Sequence, residues 1–254
     1  MSYLNYLRRM ICTGIAFATF GICGFMLSAL AFPIIRLFYQ DPEVYTVKTR
    51  WLIHKAFALF LLWMKILGVC DFKFEGLEKI SEDKGCLLLA NHPSLIDVVV
   101  LMSLYPRANC IVKKGLWQNP FLKGVVQGAG YIPSDKGEEV LACCQRALDS
   151  GDTLVIFPEG TRSVPGKELS LQRGASQVAL RLNRPIRLVK IVMYPTTLTK
   201  AEAWYQIPRK KPVFFLKIGD KIRPKDFPDK AKPTPVAARV LTREIKRKLE
   251  GINS

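Results

Sequence analysis

The chain has 254 residues, and Lys plus Arg outnumber Asp plus Glu by 38 to 21, giving a formal net charge of +17. That length holds one good-sized core plus an appendage, and that charge asks for an anionic partner, which nucleic acid or an anionic lipid surface would satisfy. There is no zinc-finger spacing, aromatic RNA-binding signature or charged recognition helix, so nucleic acid is excluded and the lipid surface kept.

The hydrophobic share is 49% and the mean hydropathy +0.13, both high for a soluble domain, with the excess lying before residue 70. Met10 to Ile35 carries no charged residue. At about 1.5 Å per residue it is long enough to cross a ~30 Å hydrocarbon layer. Arg8 and Arg9 precede it and Arg36, Lys48 and Arg50 follow it, a balance that favours a re-entrant or shallow hairpin as much as a span. A secretory leader ending near Ala29-Leu30-Ala31 is the competing reading, but the apolar run exceeds the usual ~7–15 residues. Trp51 to Val69, interrupted by His54, Lys55 and Lys65, reads as an amphipathic interfacial helix with Trp51 and Trp63 at headgroup depth. Residues 1–70 are thus expected to form membrane-anchoring helices, and 71–254 a globular domain.

In that domain short apolar runs alternate with helical stretches. Strands are expected at Phe72–Glu75, Cys86–Ala90, Cys110–Val112, Thr153–Phe157, Ile186–Tyr194 and Val213–Ile218. Helices are expected at Asp97–Leu104, Lys114–Gln127, Val140–Leu148, Gln172–Leu182 and Val236–Glu250. The alternation predicts an α/β layered domain.

Two strands end in polar corners. Cys86–Ala90 runs into Asn91-His92-Pro93-Ser94-Leu95-Ile96-Asp97, where Pro93 and Ser94 look like a helix start. Asp97 would sit about one turn in, able to lean back on His92. A carboxylate on one ring nitrogen fixes the tautomer and leaves the other free to accept a proton. Leu154–Phe157 runs into Pro158-Glu159-Gly160-Thr161-Arg162-Ser163, where Gly160 lets backbone approach a ligand and Arg162 suits a phosphate; an internal Glu159–Arg162 ion pair is the alternative. Ligand sites of α/β sheets gather at the carboxyl ends of strands, where both corners fall. Lys113 and Lys114 either meet phosphate or form a solvated basic face. The seven cysteines (12, 23, 70, 86, 110, 143, 144) are odd in number and form no CxxC pair, which fits a reducing compartment with no metal site and no disulfide.

The two corners resemble the first and third motifs of the glycerolipid acyltransferases, the family that includes 1-acylglycerol-3-phosphate (lysophosphatidic acid) acyltransferase. Lys113, Leu116, Asn119-Pro120-Phe121, Gly124 and Gly130-Tyr131-Ile132 resemble the second motif, so that the resemblance covers about residues 70 to 200. It implies a mixed central sheet flanked by helices and acyl transfer from acyl carrier protein or a coenzyme A thioester to a lysophospholipid hydroxyl. His92 would be the general base and Asp97 its orienter, and Lys113, Glu159, Gly160, Thr161 and Arg162 would bind the phosphorylated acceptor. A thioester is already activated, so no cofactor, metal or covalent intermediate is needed. Ser94 lacks the Gly-flanked elbow of a hydrolase nucleophile and is expected to cap the helix. The implied location is a membrane, the inner (cytoplasmic) one, with the active site on its cytoplasmic face. Ser134-Asp135-Lys136 stands where many members carry arginine, and Pro185–Pro195, resembling the fourth motif, is unusually basic through Arg187 and Lys190. These departures leave room for a specialised acyl chain or acceptor, as in aryl polyene pathways. A thioesterase and a non-catalytic membrane module are the remaining alternatives.

Overall fold

The structure, a computed structural model, describes residues 3–119, 122–134, 139–223 and 235–252. Pro120 and Phe121 of the second-motif stretch, and Asp135 and Lys136, lie outside the described residues.

The chain opens with helix α1 (Tyr3–Met26), a π turn at Leu27–Ala31 and α2 (Phe32–Phe38), which together make one long apolar helix. Pro33 explains the π turn: it has no N–H to return to the preceding turn. The N–H of Phe32 accordingly reaches back five residues, to the carbonyl of Leu27. Helix α3 (Pro42–Ile66) begins earlier than the apolar pattern suggests, because Asp41 caps it by accepting from the N–H groups of Glu43 and Val44, with Pro42 in the first turn. Arg8 lies beside Gly68, Phe20 against Phe57 and Phe60, and Arg36 over the Tyr45 ring. Those pairs place α1–α2 and α3 side by side and antiparallel, as a hairpin.

Strands β1 (Asp71–Glu75), β2 (Leu87–Ala90), β3 (Ala108–Val112), β4 (Ile132–Pro133), β5 (Thr153–Ile156), β6 (Ile186–Tyr194) and β7 (Val213–Ile222) form one sheet in the order β1-β7-β6-β2-β5-β3-β4. Five run parallel, β4, β3, β5, β2 and β6; β7 is antiparallel to β6, and β1 parallel to β7. The expected mixed α/β sheet is therefore present. β2 sits mid-sheet, and Leu87, Leu88, Leu89 and Ala90 are all 0% exposed, as an uninterrupted apolar run requires.

Alternate side chains of β2 enter two different cores. Leu88 and Ala90 face the hairpin, α4 (Asp97–Met102) and α6 (Lys123–Gly128); Leu87 and Leu89 face α7 (Glu139–Asp149), α8 (Gly174–Leu182) and α9 (Pro235–Gly251). Ala16, Phe32, Ile53, Leu61 and Met64 of the hairpin belong to the same buried cluster as Val99, Val100 and Met102 of α4. Two glycines seat it on α6: a Cβ at Gly124 would come within 2.5 Å of Ser28, and one at Gly128 within 2.8 Å of Phe32. Their four-residue spacing opens a groove along one helix face.

Three expectations need correction. The helix after His92 starts at Asp97, not Pro93: residues 91–96 form a tight turn with Ile96 at the helix boundary. Ser94 is not its side-chain cap, since no side-chain cap bond is made there; the Asp97 carboxylate accepts instead from the Ser94 N–H at 2.7 Å. The helix expected over Lys114–Gln127 is two short ones, α5 (Lys114–Gln118) and α6.

Candidate active site

Both polar corners stand at the carboxyl ends of adjacent parallel strands, β2 and β5. Asn91 fixes the first by continuing the sheet with its side chain: Nδ2 donates to the Ile191 carbonyl and Oδ1 accepts from the Ile191 N–H, both at 2.7 Å. This replaces the backbone pairing lost as the chain turns away. His92 then projects from the corner with its side chain 18% exposed, while Asp97 beneath it is 0% exposed.

The His92 Nδ1 and Asp97 Oδ2 are 2.9 Å apart. With an ionised Asp97 this makes Nδ1 the protonated nitrogen and leaves Nε2 as the acceptor. Burial pushes the Asp97 carboxyl above its ordinary range; the hydrogen bonds from His92 and Ser94 pull it back in part. Phe157, at the end of β5, stacks on the imidazole with centroids 4.1 Å apart and planes 24° apart. The ring is thus held by a carboxylate at one edge and an aromatic face on one side.

The second corner is tied to the first through backbone. Glu159 Oε1 accepts from the His92 N–H at 3.0 Å and from the Ser163 Oγ at 2.6 Å, and the Ser163 N–H donates to the His92 carbonyl at 2.7 Å. Glu159 is therefore a brace under His92. The Glu159–Arg162 ion pair offered as the alternative does not describe Arg162, whose Nη1 donates to the carbonyls of Leu198 (3.1 Å) and Thr199 (2.9 Å). Leu198 is buried in the left-handed region at φ 54°, and its carbonyl also accepts from the Leu95 N–H at 3.1 Å. One residue thus touches both corners. Gly160 (φ 68°) and Thr161 are exposed at the turn, where a left-handed backbone suits glycine. Lys113, also exposed, precedes α5, one strand beyond β5.

The two basic residues of the fourth-motif strand have separate fates. Arg187 is buried and engaged with Asp83, Glu82 and the carbonyls of Lys79 and Gly219, so it belongs to the framework. Lys190 is half-buried, and desolvation lowers its pKa. Phe157, Ser163 and Leu198 were not singled out from sequence. The first two lie inside the second corner; nothing local marks Leu198.

Two cavities lie away from the dyad. One, of about 770 Å³, sits between α3 and α7, near Arg50, Arg107 and Asp152 at the amino ends of β3 and β5. The other, of about 560 Å³, is apolar and lies between α1, α3 and α6, lined by Phe17, Phe20, Phe57, Phe60, Trp63 and Leu122. Among the described residues no cluster of three or more His, Cys, Asp or Glu could hold a metal ion.

A buried aspartate orienting a partly exposed histidine at the carboxyl edge of a mixed α/β sheet defines a candidate acid–base site. The chain belongs to the Acyltransferase family, whose model matches residues 71–199 and so takes in both corners. It is 35% identical over 134 residues to the 1-acyl-sn-glycerol-3-phosphate acyltransferase of Helicobacter pylori, covering 48% of this chain and 56% of that protein. It is 31% identical over 170 residues to the chloroplastic 1-acyl-sn-glycerol-3-phosphate acyltransferase LPAT1 of Arabidopsis thaliana, covering 65% of this chain and 45% of that one. The chain thus spans about half the length of these curated relatives. Its fold is that of the crystal structure of the 1-acyl-sn-glycerophosphate (LPA) acyltransferase PlsC from Thermotoga maritima, with a TM-score of 0.68, 21% identity and all of both chains covered.

Proposed function

We propose that the protein is a membrane-surface O-acyltransferase that moves an acyl group from an acyl carrier protein or coenzyme A thioester to the free hydroxyl of a lysophospholipid such as 1-acylglycerol-3-phosphate. The observation that carries this reading is the 2.9 Å His92–Asp97 pair at the open end of β2, in a chain whose relatives bear that activity in their names.

In this reading His92 Nε2 takes the proton of the acceptor hydroxyl as its oxygen attacks the thioester carbonyl. The imidazolium, stabilised by Asp97, then returns that proton to the leaving thiolate as the C–S bond breaks. The bonds balance without a metal or covalent enzyme intermediate. The acceptor's phosphate would meet Lys113, the Gly160–Thr161 turn and the Arg162 donors not committed to Leu198 and Thr199, while Glu159 braces the base. The apolar cavity between α1 and α3 offers an acyl chain a dry seat, of ordinary ligand-site size, on the sheet face that Phe157 shares.

The hairpin supports the membrane part of the reading. Ile11, Ile15, Ile22, Phe25, Ile34 and Leu37 are exposed along its outer side, while its inner side packs on the domain from Phe32 to Met64. Helices bound along their length to a globular domain lie along a leaflet rather than across it, and the inner membrane with a cytoplasmic-facing site is the location we propose. The test is mass spectrometry of lipids made by purified protein from acyl-ACP and acyl-CoA with a panel of lysolipids. Diacyl product from 1-acylglycerol-3-phosphate is expected. Free fatty acid alone, or acylation of none of the lysophospholipids, would overturn the reading.

A further inference from the structure

The segment between β6 and β7, residues 195–212, touches the catalytic corners at one end and the hairpin at the other. At its start, the carbonyls of Leu198 and Thr199 receive Arg162, and that of Leu198 receives the Leu95 N–H. Further along, the carbonyls of Pro208 and Arg209 accept from the buried Arg9 of α1 at 3.0 and 3.1 Å. Between these anchors the Trp204 ring lies 6.1 Å from that of Phe17, close enough to α1 that a Cβ on Gly14 would come within 3.3 Å of it. Trp204 is nevertheless 47% exposed and its neighbour Tyr205 53% exposed. Trp204 packs on Phe17 and edge-on against Tyr205 at 5.7 Å, yet both rings keep about half their surface open, and Trp204 lies against the part of α1 where Ile11 and Ile15 are exposed as well. Lys200, Arg209 and Lys210 flank them, all exposed, and the only acidic residue among 195–212 is Glu202, whose carboxylate is engaged by the Thr199 N–H.

We propose that this segment is a second membrane-contact element, seating Trp204 and Tyr205 at the headgroup level of an anionic leaflet and thereby setting the depth at which Arg162 meets the acceptor. The inference rests on the membrane reading of the hairpin. Amphipathic rings flanked by cations have the composition of an interfacial belt, and continuity with the apolar side of α1 together with the positive charge selects an anionic lipid surface as the occupant. Because its two ends bind α1 and Arg162, the segment fixes the corners relative to whatever surface α1 lies on.

The test uses the full chain with one tryptophan kept. The protein has four, so Trp51→Phe, Trp63→Phe and Trp117→Phe leave Trp204, and the matching set leaves Trp51 for the hairpin. Each is bound to phosphatidylglycerol–phosphatidylcholine vesicles carrying bromine at shallow or deep acyl positions. Trp204 is expected to be quenched, more by the shallow bromines than by the deep. Quenching of Trp51 with Trp204 silent overturns the proposal and spares the hairpin reading; silence of both overturns the two together. A blue shift of Trp204 emission with rising protein concentration and no vesicles would assign the surface to a second copy of the chain, and also overturns it. An independent variant, Trp204→Ser with Tyr205→Ser, is expected to raise the KM for bilayer acceptor several-fold with KM for a soluble short-chain acceptor unchanged. Lys200→Gln, Arg209→Gln and Lys210→Gln together should weaken vesicle binding by about five-fold per residue at low salt. Equal KM for bilayer acceptor in the aromatic variant and the parent contradicts the proposal.

Discussion

Strand β2 has a buried aspartate at each end, both with side chains 0% exposed, and their surroundings are opposite in kind. At the amino end Asp83 is saturated by fixed charge: Arg187 Nε bridges its two oxygens at 2.9 and 3.0 Å, Lys221 Nζ is 3.2 Å away, and the Tyr105 hydroxyl donates at 3.0 Å. At the carboxyl end Asp97 has an imidazole and one backbone N–H, and its Oδ1 has no hydrogen-bond partner among the described residues. Arginine stays charged throughout the physiological range, whereas histidine can exchange a proton within it. A carboxylate locked to guanidinium is framework; one left half-satisfied beside an imidazole can respond when that imidazole gains a proton. Asp152, at the amino end of β5, follows the first pattern, held by Arg50 of the hairpin and by Arg107.

If the comparison is right, changes at the two ends of β2 should separate activity from stability. The largest effect is expected from His92→Ala, a fall in turnover of at least ~10²–10⁴-fold with the unfolding midpoint close to that of the parent; steady-state kinetics and thermal unfolding on the same preparation check it. Arg187→Ala should do the reverse. It strands Asp83 without its guanidinium, and removing one partner of a buried pair costs about 3–5 kcal/mol, read by denaturant unfolding, while the molecules that remain folded keep their kcat. Arg162→Lys keeps the charge but loses the fork, so the acceptor KM should rise by more than the donor KM; equal changes would make Arg162 only a tether for Leu198 and Thr199.

The smallest effect concerns a thiol. Burial, with Asp83 nearby, pushes Cys86 up to about 12, and its Sγ lies 3.5 Å from the Asp83 carbonyl. Since the thiolate is the reactive form, Cys86 should resist labelling at pH 8 in the native protein. It should label in Arg187→Ala and stay protected in His92→Ala, which mass mapping of the labelled protein would show.

The two polar corners of the candidate site were legible in the sequence because each is local. A short apolar strand followed within seven residues by histidine and aspartate, or by a Glu-Gly-Thr-Arg turn, carries its chemistry in consecutive residues. What could not be read is what joins segments far apart. Asn91 pairs with Ile191, and Leu198 reaches both corners, across about a hundred residues of chain or from outside either motif. Arg187 looked like surplus positive charge on a strand because its partner Asp83 lies in another segment. The seating of the hairpin was hidden likewise: Gly124 and Gly128 matter through Ser28 and Phe32. The start of α3 went unread although Asp41-Pro42 is a plain helix-start signal, because Lys48 and Arg50 broke the apolar pattern after it. Arg50 is in fact turned inward, onto Asp152 and the carbonyl of Ala129.

The most direct measurement is kcat and unfolding midpoint for Asp97→Asn, which keeps the shape and removes the charge. Burial raises the Asp97 pKa, so its ionised form weighs against the fold as pH rises above the ordinary carboxylate range; removing that charge should hold or raise the midpoint at neutral pH. Without the carboxylate the imidazole loses its tautomer control and the stabilisation of its protonated form, and kcat should fall by ~10²-fold or more. A variant with normal kcat and a collapsed midpoint would show that Asp97 is framework like Asp83, and the account of the site would be wrong.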